Sequence, residues 1–202
     1  MRGEKSSVLR IIDQLQPERA DAQRNRDRIL AAARALLRTR AIADICMDDL
    51  ARKAGVGKGT LYRRFGDRPA LIRALLDEDE RTLQERILRG SGLGKSAPPL
   101  ARLLAVVHLL ATHVLSHADM LLEISMLTTG PARYEHPVRH SYRYEIRRLL
   151  AARGRHSEDE LDFVADAILA LLEPEFLVWQ KAQLGPRRLF AWLAVAAERL
   201  AG

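Results

Sequence analysis

The sequence predicts an all-α protein of two helical parts, and three observations predict it. Apolar residues recur at spacings of three and four through nearly the whole chain, while no run alternates apolar and polar residues as a strand would. Helix starts and stops are punctuated by Gly55, Gly66, Pro69, Pro137, Gly185 and Pro186. Charge is also uneven: residues 24–68 hold 12 basic and 5 acidic side chains, whereas residues 91–202 hold 13 and 12. A focused positive field suits a polyanionic partner.

The bulk properties bound the class. A chain of 202 residues with 48% hydrophobic and 29% charged residues buries a real core. Cys46 is the single cysteine, so no internal disulfide forms, and a reducing cytoplasm is the expected compartment. Val8, Leu9, Ile12 and Leu15 are interrupted by Arg10, Asp13 and Gln14, which does not read as a secretory signal. No stretch is expected to cross a bilayer, so no membrane partner is expected.

The elements follow in order. Residues 1–23 read as an N-terminal extension, with one or two amphipathic turns around Val8 to Leu15. Ile29, Ala33, Leu36 and Leu37 set a helix over Arg24–Thr39. A short helix runs from Met47 to Ala54, with Asp48 and Asp49 in its first turn and Gly55 as its stop. A third covers Lys58–Phe65. Gly66 and Asp67 end it and cap a long fourth helix that opens near Pro69 and lasts to about Arg89. "GSGLGKSAPP", 90–99, is a linker loop. Helices over Leu100–Ser116 and Asp119–Thr128 come next, then a loop, then a helix from Pro137 to about Gly154. Ser157 and Glu160 form a capping box for the following helix. Pro174 should kink or break that helix, and Gly185-Pro186 opens the last one. The expected domains are 24–70 and 71–202.

The stretch "KAGVGKGTLYRRFGDRP", Lys53–Pro69, has the glycines, lysine and threonine of a phosphate-cradling loop. A Walker-type loop needs glycine, four residues, then Gly-Lys-Ser/Thr. Here Gly59 follows Lys58 and Arg52 stands at the first-glycine position. The second near-match, Gly94-Lys95-Ser96, has Arg89 there instead. Neither spacing passes.

Two short helices about the tight turn Gly55-Val56-Gly57 instead fit a helix-turn-helix, whose second helix turns its N-terminal residues to the bases of a major groove. Gly57 caps that helix and leaves its first amides open to a phosphate. Lys58, Gly59 and Thr60 lie at the groove-facing start. Tyr62, Arg63 and Arg64 reach phosphates at the flanks, and Leu61 and Phe65 face inward to Leu50 and Ala54. Arg24, Arg26 and Arg28 suit a basic arm on the backbone or in the minor groove. A generic helical hairpin would need the same inward residues, but not the concentrated lysine and arginine.

The block from Ile29 to Leu75 resembles the DNA-binding domain of the tetracycline-repressor (TetR) family, on "RILAAARALL" and "MDDLARKAGVGKGTLYRRFGDRPALIRALL". The resemblance implies a homodimer on a palindromic double-stranded DNA operator and repression relieved by a small-molecule effector held in the second domain. Ala41 and Ile42 stand where the family often has glycine and an aromatic, and Gly57 where serine is common. Pro69 replaces the usual glutamate. Arg68 replaces a lysine and keeps its phosphate contact. Cys46 takes the usual Thr/Ser cap position, and a thiol there costs about 1 kcal/mol.

The second domain carries less chemistry. His113 and His117, and His136 and His140, have i,i+4 spacing without a third metal ligand, so no metal is expected. Ser116-His117 is merely adjacent, no nucleophile–base pair stands out, and neither enzyme activity nor a cofactor is expected. Leu104, His108, Met120, Met126, Tyr142, Phe163 and Phe176 are candidate effector-pocket walls or simply core. Trp179, Phe190, Trp192 and Ala196, in the two apolar C-terminal helices, are the candidate dimer face. A nonspecific DNA-architectural protein and a helical small-molecule binder without operator specificity are the competing readings.

Overall fold

Among the described residues the chain forms ten α-helices and one 3₁₀ turn, with no strand. They are α1 (Glu4–Leu37), the 3₁₀ turn (Ile42–Asp44), α2 (Met47–Ala54), α3 (Lys58–Phe65), α4 (Arg68–Leu88), α5 (Pro99–Ser116), α6 (Ala118–Leu127), α7 (Pro137–Ala151), α8 (Glu158–Ala170), α9 (Pro174–Leu184) and α10 (Pro186–Leu200). The structure, a computed structural model, describes residues 4–94, 96–127, 130 and 134–202, with side chains from residue 21 onward. The expected amphipathic turns around Val8 to Leu15 lie outside the described side chains. The helices gather into two compact units, Met1–Leu75 and Leu76–Gly202.

In the first unit, α1 starts at Glu4 rather than near Arg24. Residues 4–23 hold no glycine and include the helix formers Glu4, Leu9, Gln14, Leu15, Gln16, Glu18, Ala20 and Ala22, although Pro17 also falls within the helix. Ile29, Leu30, Ala32 and Ala33 bury one face of α1, and Leu71, Ile72, Ala74 and Leu75 bury the start of α4. Asp67 Oδ1 caps α4 by accepting from Ala70 N at 2.7 Å. The 3₁₀ turn, which has no periodic signal in sequence, buries Ile42.

Cys46 caps α2: its Sγ accepts from the amide of Asp49 at 3.3 Å. Sulfur is a weak acceptor, so most of the benefit of a hydroxyl cap is absent. Cys46→Ser is expected to stabilise the first unit by about 0.5–1 kcal/mol. Urea unfolding followed by circular dichroism checks this, and a lower midpoint for the serine variant would contradict it.

In the second unit, Leu83 and Ile87 of α4 join a core made with Leu103, Val106, Leu110, Ile146, Leu149, Leu161, Ile168, Leu177, Leu189 and Leu193. By length and composition α5 is long and apolar enough to cross a membrane, contrary to the expectation from sequence. Its residues Leu103, Val106, Val107, Leu110 and Ala111 are buried in the core of this unit, as in the central helix of a globular domain. Arg102, also buried on α5, meets Glu145 Oε1 at 3.3 Å, and Arg148 closes a fork on the same carboxylate at 2.7 and 2.8 Å.

Along the seam of α7 and α8, Arg139, Arg143 and Arg147 repeat every fourth residue and pair with Glu173, Asp166, Asp162 and Glu158. The capping box forms, with Ser157 N donating to Glu160 Oε2 at 2.8 Å. Pro174 does not merely kink the helix. The chain turns at Leu171–Glu173 and Pro174 restarts it as α9.

Candidate nucleic-acid interface

Two short helices and the turn between them build the candidate interface in the first unit. Gly55 ends α2 in the left-handed region, φ +63°, with its amide returned to Arg52 O at 3.2 Å. A β-carbon there would sit 2.9 Å from Nη2 of Arg28. That guanidinium is fixed in place because it donates to Ala54 O at 2.9 Å and Gly55 O at 3.3 Å. Arg28 therefore ties α1 to the C-terminus of α2 and satisfies carbonyls the helix leaves open. It is a brace for the turn rather than part of a basic arm.

The chain then extends through Gly57, which carries no side chain, so α3 has no side-chain cap at its N-cap position. Leu61 and Phe65 bury one face of α3 in the first unit. Gly59, Tyr62 and Arg63, spaced three and four apart, share the opposite face and are exposed. A β-carbon on Gly59 would meet nothing within 4 Å, so packing does not require glycine there. Its bare backbone leaves the middle of the face open to close approach. Thr60, half-buried, and Arg64, exposed, lie four residues apart on one edge of that face.

Lys58 lies on the edge of α3 nearest α2, where its ammonium pairs with the carboxylate of Asp48. The Asp48 hydrogen bond holds the Lys58 pKa above its ordinary value. Arg24 is exposed and paired with Asp21. Arg26 lies 5.7 Å from the Phe65 ring centroid, a cation–π distance that ties it to the base of α3. Arg68 departs from the expected phosphate contact. Its guanidinium turns back to donate to the carbonyls of Ile42, at 2.6 Å, and Ile45, pinning the 3₁₀ turn to the start of α4.

Residues 29–75 match the profile of bacterial regulatory proteins of the TetR family. Residues 29–75 are thus similar to the N-terminal region of TetR-family regulators. HTH-type transcriptional regulators of Staphylococcus aureus, strains USA300 and NCTC 8325 among them, are 38% identical over 61 residues, which are 30% of this chain and 33% of theirs. The chain thus spans about a third of the length of these relatives.

A fold seen in solved structures extends over most of the chain. It is shared with the Thermus thermophilus repressor FadR, solved with lauroyl-CoA (TM-score 0.67, 22% identity, 87% of this chain and 92% of that one). It is also shared with RolR, solved with resorcinol (TM-score 0.64, 19% identity, 91% and 95%). A TetR-family regulator from Rhodococcus sp. RHA1 matches with a TM-score of 0.61 at 22% identity over 88% and 96%.

The TetR-family layout puts the remaining candidates in the second unit, and the structure does not bring them all together. Leu104, Met120 and Tyr142 are half-buried. Met126 and Phe163 are surface residues, 75% and 77% exposed, and Phe176 is exposed as well. Phe163 instead lines an open groove of about 470 Å³ with Tyr134, Arg139, His140, Arg143 and Asp166. His108 is exposed and packs its ring on Phe190 at 4.6 Å. Phe190 packs against the core, Trp179 and Trp192 are exposed, and Ala196 is half-buried.

A polar cluster lies among α4, α5 and α7 that sequence spacing did not disclose. Tyr142 Oη donates to Glu80 Oε1 at 3.3 Å, and His117 meets Asp79 at 3.1 Å while its ring stands 4.6 Å from that of His113. Burial raises the Glu80 pKa against the opposing Tyr142 hydrogen bond, and burial, then Glu80, raises that of Tyr142. Burial, helped by His117, lowers the His113 pKa to about 4. No set of three or more His, Cys, Asp or Glu among the described residues is placed to hold a metal.

His113 sets a pH dependence. The folded state holds it neutral well below the ordinary histidine value, so its contribution to stability is complete above about pH 6.5. That contribution is lost as the pH falls towards 4, because only the unfolded chain takes up the proton. His113→Gln should flatten the fall in melting temperature between these limits. An unchanged pH profile would contradict this.

Proposed function

We propose that the protein is a sequence-specific DNA-binding transcriptional regulator, a homodimeric repressor released from a palindromic operator by a small molecule. The exposed face of α3 carries this reading. Gly59, Tyr62 and Arg63 project from a helix anchored by Leu61 and Phe65, behind uncapped amides, in the most basic part of the chain. Lys58, Thr60 and Arg64 flank that face. Thr60 reads a base edge, while Lys58, Tyr62, Arg63 and Arg64 hold phosphates. Arg24 and Arg26 add phosphate contacts from α1. A soluble cytoplasmic protein suits this work.

The second unit serves as the effector and dimer domain. Two proteins of this fold, FadR and RolR, are solved with lauroyl-CoA and with resorcinol, which supports a small-molecule site in a helical domain of this layout. Leu104, Met120 and Tyr142, beside the Glu80 cluster, are the walls kept in this reading. Met126, Phe163 and Phe176 are too exposed to enclose a ligand. Because α4 runs unbroken from Arg68 to Leu88, a ligand that shifts its second half has a covalent route to its first.

Selection of bound duplexes from a random library, followed by footprinting beside the protein's own coding region, tests the proposal. A recurrent palindrome is expected. Equal recovery of all sequences would favour the nonspecific DNA-architectural reading instead.

A further inference from the structure

We infer that Asp48 is an internal competitor for the DNA backbone: it occupies Lys58 in the free protein and must surrender it when a phosphate arrives. This rests on the DNA-binding reading above. Asp48 and Asp49 stand side by side in the first turn of α2, yet they are used differently. Asp49 is engaged by Arg52 at 2.8 Å and Arg40 at 3.5 Å, both basic side chains of its own neighbourhood. Asp48 reaches across the turn to Lys58, the first residue of α3. Both partners are about half-exposed or more, 48% and 63%, so water already screens the pair and little holds it closed.

The position makes the pair consequential for binding. Lys58 and the uncapped amides of α3 form one end of the proposed interface, where a phosphate is favoured by charge and by the helix dipole. Asp48 places a carboxylate at that same spot. In the free protein it satisfies the ammonium as a phosphate would. In the complex it is left as an unpaired negative charge beside a polyanion. The net number of phosphates neutralised by the protein is therefore smaller than its lysines and arginines suggest, and the salt dependence correspondingly shallower. The penalty is the same for every sequence, so Asp48 lowers occupancy of random DNA and of the operator alike.

The test is the binding of the full-length protein to a short random-sequence duplex over a series of salt concentrations, with Asp48→Asn, Asp48→Glu and Lys58→Ala variants. Far-UV circular dichroism verifies folding of each. Asp48→Asn should bind roughly fivefold tighter at low salt, the factor for one unit-charge contact in water. Its slope of log affinity on log salt should be steeper by about one unit. Asp48→Glu, which keeps the charge, should keep the wild-type slope. In a Lys58→Ala background the added slope of Asp48→Asn should vanish, because the competition runs through that ammonium.

Equal slopes for wild type and Asp48→Asn would overturn the inference. So would a steepening that persists without Lys58, which would make Asp48 a diffuse surface charge only. A wild type that binds no duplex would overturn the DNA-binding reading itself, and this inference with it.

Discussion

Trp192→Glu and Ala196→Glu are expected to give a folded monomer that binds its operator about 10²–10⁴-fold more weakly than the wild type. Leu189, Leu193 and Ala197 turn one side of α10 into the core of the second unit. Trp192 and Ala196, four residues apart, share another side, and Trp192 is 55% exposed in the single chain. Trp179 of α9 is 59% exposed. Large aromatics left that bare suit the anchors of a self-association face. A glutamate there would bring an unpaired charge into a dry interface, which dimerisation cannot tolerate.

The affinity loss follows from geometry. One α3 covers only a few base pairs, and in the proposed dimer two copies would engage half-sites whose centres lie about 34–36 Å apart on one side of the duplex, or a multiple of that. Linking them raises affinity without any new contact. Light scattering beside operator titration checks both parts. Variants that stay dimeric would move the interface elsewhere, and folded monomers of undiminished affinity would refute the two-half-site mechanism.

The second large effect falls on α3. Tyr62→Ala and Arg63→Ala should each weaken operator binding by about 1–3 kcal/mol while helix content stays unchanged, because neither side chain is buried. Arg63→Ala should also make the salt dependence shallower by about one unit of slope. Lys58→Ala should weaken binding too, since it removes a cation and leaves the Asp48 carboxylate uncompensated. Thr60 substitutions should change the preference among operator variants rather than the salt slope. Salt slopes identical to wild type in both the Lys58 and Arg63 variants would remove α3 from the interface.

What was legible in the sequence was local. Asp48, Asp49 and Gly55 bound α2, and Gly57 and Gly66 bound α3, because capping and left-handed stops act within a few residues. The break at Pro174 and the Ser157–Glu160 box were legible for the same reason. What escaped depends on distant partners. Arg68 reads as one more basic residue until the carbonyls of Ile42 and Ile45, 26 and 23 residues away, are seen to hold it. Arg28 likewise passes for a basic arm until it meets Ala54 and Gly55. In the second unit several helices carry large apolar residues outside their buried face. Periodicity alone could not tell that Met126 and Phe163 face out while Phe190 packs on the core. The Glu80–Tyr142 pair joins residues 62 apart and has no sequence signature.

Affinity for a selected duplex against a scrambled one of the same length, at physiological salt, tests whether α3 reads a specific DNA sequence. Preference for the selected site by a factor of about 10³ or more is expected, falling by about 1–3 kcal/mol for each half-site position changed. Equal affinity for both duplexes, with the dimer intact, would contradict it.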